Sequence, residues 1–199
     1  MIAIIDYGAG NIGSLLAAVR KQTRDVVLTD DPSVLKTAAA AVLPGDGAFG
    51  ATMEALRERG LLSAILAHLE EGKPFLGICV GMQILFEGSD EFGASRGLGI
   101  FSGKVTRFGG RARVPHIGWS RLEIVREHDS VSGLTAVEYV YFMHSHRAPL
   151  TAATVASATN EGPFAAVVAS GNVIGMQFHP EKSQRTGERL LQNFVKRSC

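Results

Sequence analysis

Phe75-Leu76-Gly77-Ile78-Cys79-Val80-Gly81-Met82-Gln83 reads as a buried strand that runs into a sharp turn and then into a helix. Phe75 to Ile78 has no polar alternation, as a strand covered on both faces requires. Ile84, Leu85 and Phe86 continue the helical side. Glycines two residues before and two after Cys79 let neighbouring backbone approach a residue held in a strained turn. The arrangement is mechanically that of a G-x-S-x-G elbow, with sulfur in place of oxygen. A thiol so placed lies at a helix N-terminus, where the dipole favours the thiolate. The amide N–H of Val80 points to where an oxyanion would form. A buried, inert cysteine is the bland alternative, and the paired glycines favour a nucleophile.

Outward from that segment, the first half of the chain alternates between two periods. Ile2 to Ile5, Val26 to Leu28 and Ala41 to Leu43 are short apolar runs. Ile12, Leu15, Leu16 and Val19, and later Leu61, Leu62, Ile65, Leu66 and Leu69, recur at helical spacing. Strands without alternation, separated by helices, predict a parallel sheet. In the second half Val105 to Phe108, Leu122 to Val125, Tyr139 to Met143, Thr154 to Ala158, Phe164 to Ala169 and Val173 to Phe178 are strand candidates. Ser170-Gly171-Asn172 joins the last two as an antiparallel hairpin. A helix with Leu190, Leu191, Phe194 and Val195 on one face closes the chain. The expectation is one three-layer α/β domain over residues 1–199, its mixed, mostly parallel open sheet flanked by helices.

The 199 residues are 46% hydrophobic and 20% charged, the make-up of an ordinary globular protein. A net charge of +1 gives a nucleic-acid backbone no electrostatic partner, and Arg107, Arg111 and Arg113 read as a solvated loop. No apolar run approaches a membrane span. The first residues read as a strand, not a signal peptide. Two cysteines, one of them Cys199, point to reduced thiols in a cytoplasmic setting.

A thiolate needs a group that takes and returns a proton. Of six histidines, His68 reads as a surface or boundary residue of a helix and His128 as part of a solvated turn. His179 follows the strand Val173 to Phe178, is fixed by Pro180 and has Glu181 two residues on. Strand ends of a doubly wound sheet are where ligand chemistry gathers. A carboxylate at that spacing can hold the imidazole tautomer, as the third member of a triad does. Cys79, His179 and Glu181 make a complete set.

Gly77 to Gln83 together with Met176-Gln177-Phe178-His179-Pro180-Glu181 resembles the class I (triad) glutamine amidotransferases, whose fold is flavodoxin-like. Asp6-Tyr7-Gly8-Ala9-Gly10-Asn11, Leu43-Pro44-Gly45-Asp46-Gly47-Ala48-Phe49, Pro115-His116-Ile117-Gly118-Trp119, Tyr141-Phe142-Met143-His144-Ser145-His146 and Lys182-Ser183 narrow the likeness to the glutaminase subunits of imidazole glycerol phosphate synthases. The resemblance implies a heterodimer with a (β/α)8-barrel cyclase subunit. That partner uses ammonia to make imidazole glycerol phosphate and AICAR from PRFAR in histidine biosynthesis. It implies no cofactor and no metal. Cys79 would form a thioester with glutamine, with His179 and Glu181 as proton shuttle and orienter. Backbone N–H groups of Asp46 and Val80 would form the oxyanion hole. Gly45, Gly47, Gln83, Glu91, Ser145 and His146 would bind glutamine, and Asn11, Trp119, Tyr141 and Lys182 would face the cyclase. Asp46 stands where this family commonly has valine, and His146 where it often has tyrosine.

Other signals compete. Gly8-x-Gly10-x-x-Gly13, with Asp30 or Asp31 beyond it, matches a dinucleotide fingerprint, which alone is weak. His144-x-His146 suggests zinc but has no third ligand at useful spacing. Phe101, Phe108, Trp119 and Phe142 read as core or interface aromatics. The remaining functional alternatives are the glutaminase of another ammonia-using synthase and a non-catalytic α/β binding module.

Overall fold

The computed structural model describes residues 1–198; Cys199 lies outside them. Its strands are β1 (Ile2–Ile5), β2 (Val26–Thr29), β3 (Ala40–Leu43), β4 (Phe75–Ile78), β5 (Phe86–Ser89), β6 (Ser95–Arg96), β7 (Phe101–Arg107), β8 (His116–Ile124), β9 (Glu138–His144), β10 (His146–Arg147), β11 (Thr154–Thr159), β12 (Pro163–Ser170) and β13 (Val173–Met176). Its α-helices are α1 (Ile12–Arg20), α2 (Pro32–Thr37), α3 (Phe49–Glu58), α4 (Leu61–Glu70), α5 (Val80–Gln83) and α6 (Gln184–Arg197).

Nine strands form the central sheet in the order β2-β1-β3-β4-β13-β12-β11-β8-β9. The run from β2 to β13 is parallel and the rest is antiparallel. Residues of each parallel strand alternate between the two faces, and both faces are covered. Ile2 and Ile4 pack on the side of α1 and α6, with Leu15, Val19, Leu190 and Phe194. Ala3 and Ile5 pack on the side of α2, α3 and α4, with Leu35, Met53, Leu56 and Ile65. This is the mixed three-layer sheet that the sequence predicts, with the antiparallel hairpin at Ser170–Asn172 joining β12 to β13.

Several local expectations are corrected. The helix after Cys79 is one turn long, because Phe86 leaves it to enter β5 and pairs with Phe101 of β7. Val105 belongs to a separate four-stranded sheet, β10-β7-β5-β6. Leu122 is near the end of a nine-residue strand that starts at His116. His68 is not a boundary residue: it is 1% exposed, and its Nε2 lies 3.1 Å from the Pro74 carbonyl. Helix α2 has one buried residue, Leu35, so periodicity does not reveal it. Its start is set by Asp31, whose carboxylate accepts from the Ser33 N–H at 2.8 Å, and by Pro32 in the first turn.

Candidate active site

Strand β4 delivers Cys79 and its parallel neighbour β13 delivers His179. The two strands are in register, Ile78 opposite Met176, and the Cys79 N–H donates to the Met176 carbonyl at 2.7 Å. Cys79 has φ 52° and ψ −113°, a conformation that costs a non-glycine residue about 1–3 kcal/mol and persists only where the surroundings enforce it. Here they do. A Cβ on Gly77 would collide with the Gly81 carbonyl, and one on Gly81 with the Leu43 carbonyl of β3. The glycines flanking the cysteine therefore permit backbone-to-backbone packing that locks the elbow. With α5 only one turn long, its dipole contributes little at the sulfur, and side chains set the electrostatics.

Those side chains come from β13 and the turn beyond it. His179 is 4% exposed, and its Nδ1 lies 3.0 Å from Glu181 Oε1. Its Nε2 is buried with no hydrogen-bond partner among the described residues, and the ring lies close enough to the Cys79 sulfur to feel its charge. Burial alone would lower the imidazole pKa. Contact with the sulfur and with the Glu181 carboxylate outweighs it and raises the pKa to about 10. Two further groups lie near the sulfur: the Met143 carbonyl at 3.9 Å and Gln177 Nε2 at 3.8 Å.

Cys79 opens on a cavity of about 290 Å³, near the small end for ligand pockets. Asp46, Gly47, Gln83, Glu91, Ser145 and His146 line it, so six of the residues named from the sequence meet around the sulfur. Gly45 sits behind the wall, where a Cβ would strike the Gly81 amide and the Val80 side chain. The Pro44–Gly47 loop is thus pressed against Val80 and Gly81. Asp46 is exposed. Gln83 is 4% exposed, and its Nε2 donates to the His146 carbonyl at 2.9 Å and to Gln177 Oε1 at 3.1 Å. Both of its N–H groups are engaged, which leaves Oε1 for a ligand. Glu91 caps α3 from a distance, accepting from the Phe49 N–H at 2.7 Å, and its other oxygen is 3.1 Å from His146 Nδ1.

Sequence reasoning gave no role to Met143 or Gln177, and weighed His144 only as half of a zinc pair. Gln177 carried a signal, an amide side chain two residues before His179 that is 0% exposed. The carbonyl of Met143 carried none.

Trp119 and Tyr141 are cross-strand partners on β8 and β9, their rings 6.0 Å apart and edge-on. Lys182 Nζ stands 5.9 Å from the Tyr141 ring centre. Trp119 is 46% exposed, and Ile117 and Tyr139 more so, which makes an apolar patch beside the cavity. Asn11 is exposed at the start of α1, and α1 packs against the turn that carries Lys182. The Gly8–Gly13 loop joins β1 to α1, and Gly10 lies against Asp46 and Pro44.

A thiol on a locked elbow, beside an imidazole that a carboxylate holds, defines the class. The family model for glutamine amidotransferase class-I matches residues 3–198, and the chain belongs to that family. Solved structures agree in fold: a glutamine amidotransferase crystal structure superposes with a TM-score of 0.77 at 20% identity, covering 99% of this chain and 98% of that one. PurLQS from Thermotoga maritima does so at 0.72 and 19%, covering 98% and 96%. Sequence relatives narrow the class. The chain is 45% identical to imidazole glycerol phosphate synthase subunit HisH of Syntrophotalea carbinolica, over 98% of each chain. It is 44% identical to the same subunit of Aquifex aeolicus, over 98% of this chain and 96% of that one. Its membership extends to the narrower family that these subunits form.

Proposed function

We propose that the chain is the glutaminase subunit of an imidazole glycerol phosphate synthase, which hydrolyses the side-chain amide of glutamine and passes the ammonia to a cyclase subunit. The observation that carries this reading is the buried imidazole of His179, held by Glu181 and interacting with a Cys79 sulfur that lines an amino-acid-sized cavity. The synthase is the one named by the relatives. The partner is the (β/α)8-barrel cyclase that turns PRFAR into imidazole glycerol phosphate and AICAR in histidine biosynthesis.

With its pKa raised to about 10, His179 carries a proton at neutral pH, which only a group as basic as the departing nitrogen can take. The Cys79 sulfur adds to the amide carbon of glutamine, and the negative charge moves to the amide oxygen. Backbone N–H groups of Val80 and Asp46 receive that oxyanion, and one such donor is worth about 3 kcal/mol of barrier. His179 then protonates the departing nitrogen, the C–N bond breaks, and ammonia leaves behind a thioester. Neutral His179 takes a proton from water as its oxygen attacks the thioester. The C–S bond breaks, glutamate departs, and the proton is back on the Cys79–His179 pair. Glu181 holds the imidazole orientation throughout. The free Gln83 Oε1 and the Glu91 carboxylate are acceptors suited to the ammonium of the amino acid. Asp46 keeps its carboxylate in water while its backbone does the chemistry.

The patch of Trp119, Tyr141 and Lys182, with Asn11 nearby, is the docking face for the cyclase. A working thiol favours a reducing, cytoplasmic compartment; among the described residues, no helix is long and apolar enough to cross a membrane.

The test is glutamate release from glutamine, measured with and without the cyclase carrying its nucleotide substrate. Release that rises strongly with the partner and vanishes in Cys79→Ala is the expected result. Activity that is constant with and without the partner would overturn the assignment to this synthase, and activity retained in Cys79→Ala would overturn the mechanism.

A further inference from the structure

Two buried histidines have no part in the steps above, and one of them, His144, lines the cavity. His144, on β9, is 6% exposed, and His116, on β8, is 9% exposed. They are cross-strand partners in the β8–β9 ladder, and their rings share a box of Phe108, Phe142 and Phe164. His144 lies 5.2 Å from the rings of Phe108 and Phe164, and His116 stacks on Phe142 at 4.9 Å. Among the described residues, no carboxylate pairs with either ring; the two histidine–carboxylate pairs involve His146 and His179. Burial pushes the His144 pKa down to about 3 and lowers that of His116. Both rings are neutral at pH 7, and a neutral imidazole has one N–H and one acceptor nitrogen.

Their contacts then fix which nitrogen is which. His144 Nδ1 is 2.8 Å from the His146 carbonyl, which can only accept, so that nitrogen carries the proton. His144 Nε2 is therefore an acceptor, and its partner at 3.1 Å, His116 Nδ1, must be the donor. His116 Nε2 is left to accept from the Ser120 hydroxyl at 2.8 Å. The chain runs one way, from Ser120 through both rings to the His146 carbonyl. That same carbonyl accepts from Gln83 Nε2, whose other N–H goes to Gln177 Oε1, while Gln177 Nε2 reaches the Cys79 sulfur.

Resting on the glutaminase reading, we propose that His116 and His144 are positioning residues: the directional chain from Ser120 fixes the His146 carbonyl, and through it holds Gln83 and Gln177 in place at the substrate wall and the nucleophile. Ser120, the head of the chain, follows Trp119 on β8 but lies on the opposite face of the strand, and the chain ends at the His146 carbonyl, from which Gln83 and Gln177 connect to the sulfur. Hydrogen-bond chains in a low-dielectric interior reinforce one another. A chain without a charged member transmits geometry without adding a proton that titrates near neutrality.

The experiment has two arms. In the first, imidazole nitrogen spectra of the 15N-labelled chain report the tautomers at pH 7, assigned by loss of signals in His116→Phe and His144→Phe. Both rings should be the Nδ1–H form, whereas histidine in water favours Nε2–H. An Nε2–H form at either position overturns the proposal. In the second, KM and kcat for glutamine are measured on the synthase assembled with its cyclase. His144→Phe should raise KM about tenfold, the scale of one lost buried hydrogen bond. His144→Asn, which keeps an N–H near the His146 carbonyl, should stay within about threefold of wild type on the same scale, with kcat changed less in both. Equal KM values for the two variants, or a loss confined to kcat, overturn it. Should His144→Phe fail to fold, the spectra of the wild type and of His116→Phe, whose ring keeps its stack on Phe142, still decide. A wild-type synthase that releases no glutamate would sink the glutaminase reading, and the tautomers would judge the chain independently.

Discussion

His179 carries opposing influences: burial disfavours its charge, and the sulfur and the Glu181 carboxylate favour it. The second pair wins, so the folded chain binds this proton more tightly than the unfolded one. A raised pKa stabilises the fold fully below the ordinary value of 6.5, and that stabilisation is lost as pH rises through about 10. Glu181→Gln removes one of the two causes. Urea unfolding at pH 6.5 and pH 10 should show a larger loss in wild type than in Glu181→Gln, and equal losses would contradict the ion pair. The same variant should lower kcat for glutamine by on the order of a hundredfold or more, the scale of a lost orienting carboxylate. A kcat within a few-fold of wild type would leave Glu181 without its proposed role. At this scale much was legible beforehand. A cysteine between two glycines, and His-Pro-Glu after an apolar run, mark a thiol and an imidazole by local chemistry alone. What stayed hidden was made by tertiary contact: the Met143 carbonyl near the sulfur, and the two N–H groups of Gln83 already engaged within the chain.

Elements behave differently. Unbroken apolar runs announced β1, β3 and β4 because both of their faces are buried, and the amphipathic stripe announced α6. Helix α3 was missed: its first N–H is satisfied by Glu91 from another part of the chain, not by a local cap. Of the small sheet of β5, β6, β7 and β10 only the end of β7 was read, as Val105 to Phe108; two of its strands are two residues long and too short to show a period. The elbow is the element on which the site depends. Gly81→Ala would drive a Cβ into the Leu43 carbonyl, and backbone cannot move aside as a flexible side chain can. We expect a loss of about 3 kcal/mol or more in chemical denaturation. A variant as stable as wild type would show that the elbow has slack. The nine-residue β8 was read only at its far end, because in its first half the exposed positions are apolar, Ile117 and Trp119, while the inward ones are His116 and Gly118, the reverse of the usual strand pattern.

For the whole molecule, the antiparallel half of the sheet is what distinguishes this chain from a plain doubly wound α/β protein. It carries β8 and β9, and with them the aromatic patch. Trp119→Ala and Lys182→Ala should weaken cyclase binding while leaving Cys79 alkylation by a glutamine-like electrophile unchanged in the isolated chain. For Trp119 the loss should be about 2 kcal/mol, typical of an interface anchor. Binding by calorimetry at wild-type strength in both variants would remove this face as the docking site. The parallel order of the first sheet half was readable from alternating strands and helices; the patch was readable only through family likeness, since an exposed tryptophan in an unrecognised strand gives no direction.

Because β4 and β13 lie side by side with Ile78 opposite Met176, the spacing between sulfur and imidazole is set by the hydrogen-bond ladder and by the short step from Met176 to His179, whose N–H donates to the Tyr141 carbonyl of β9. Inserting or deleting one residue within Val173–Met176 would turn the base to the opposite side of the sheet, away from the sulfur, and glutamate release should be abolished.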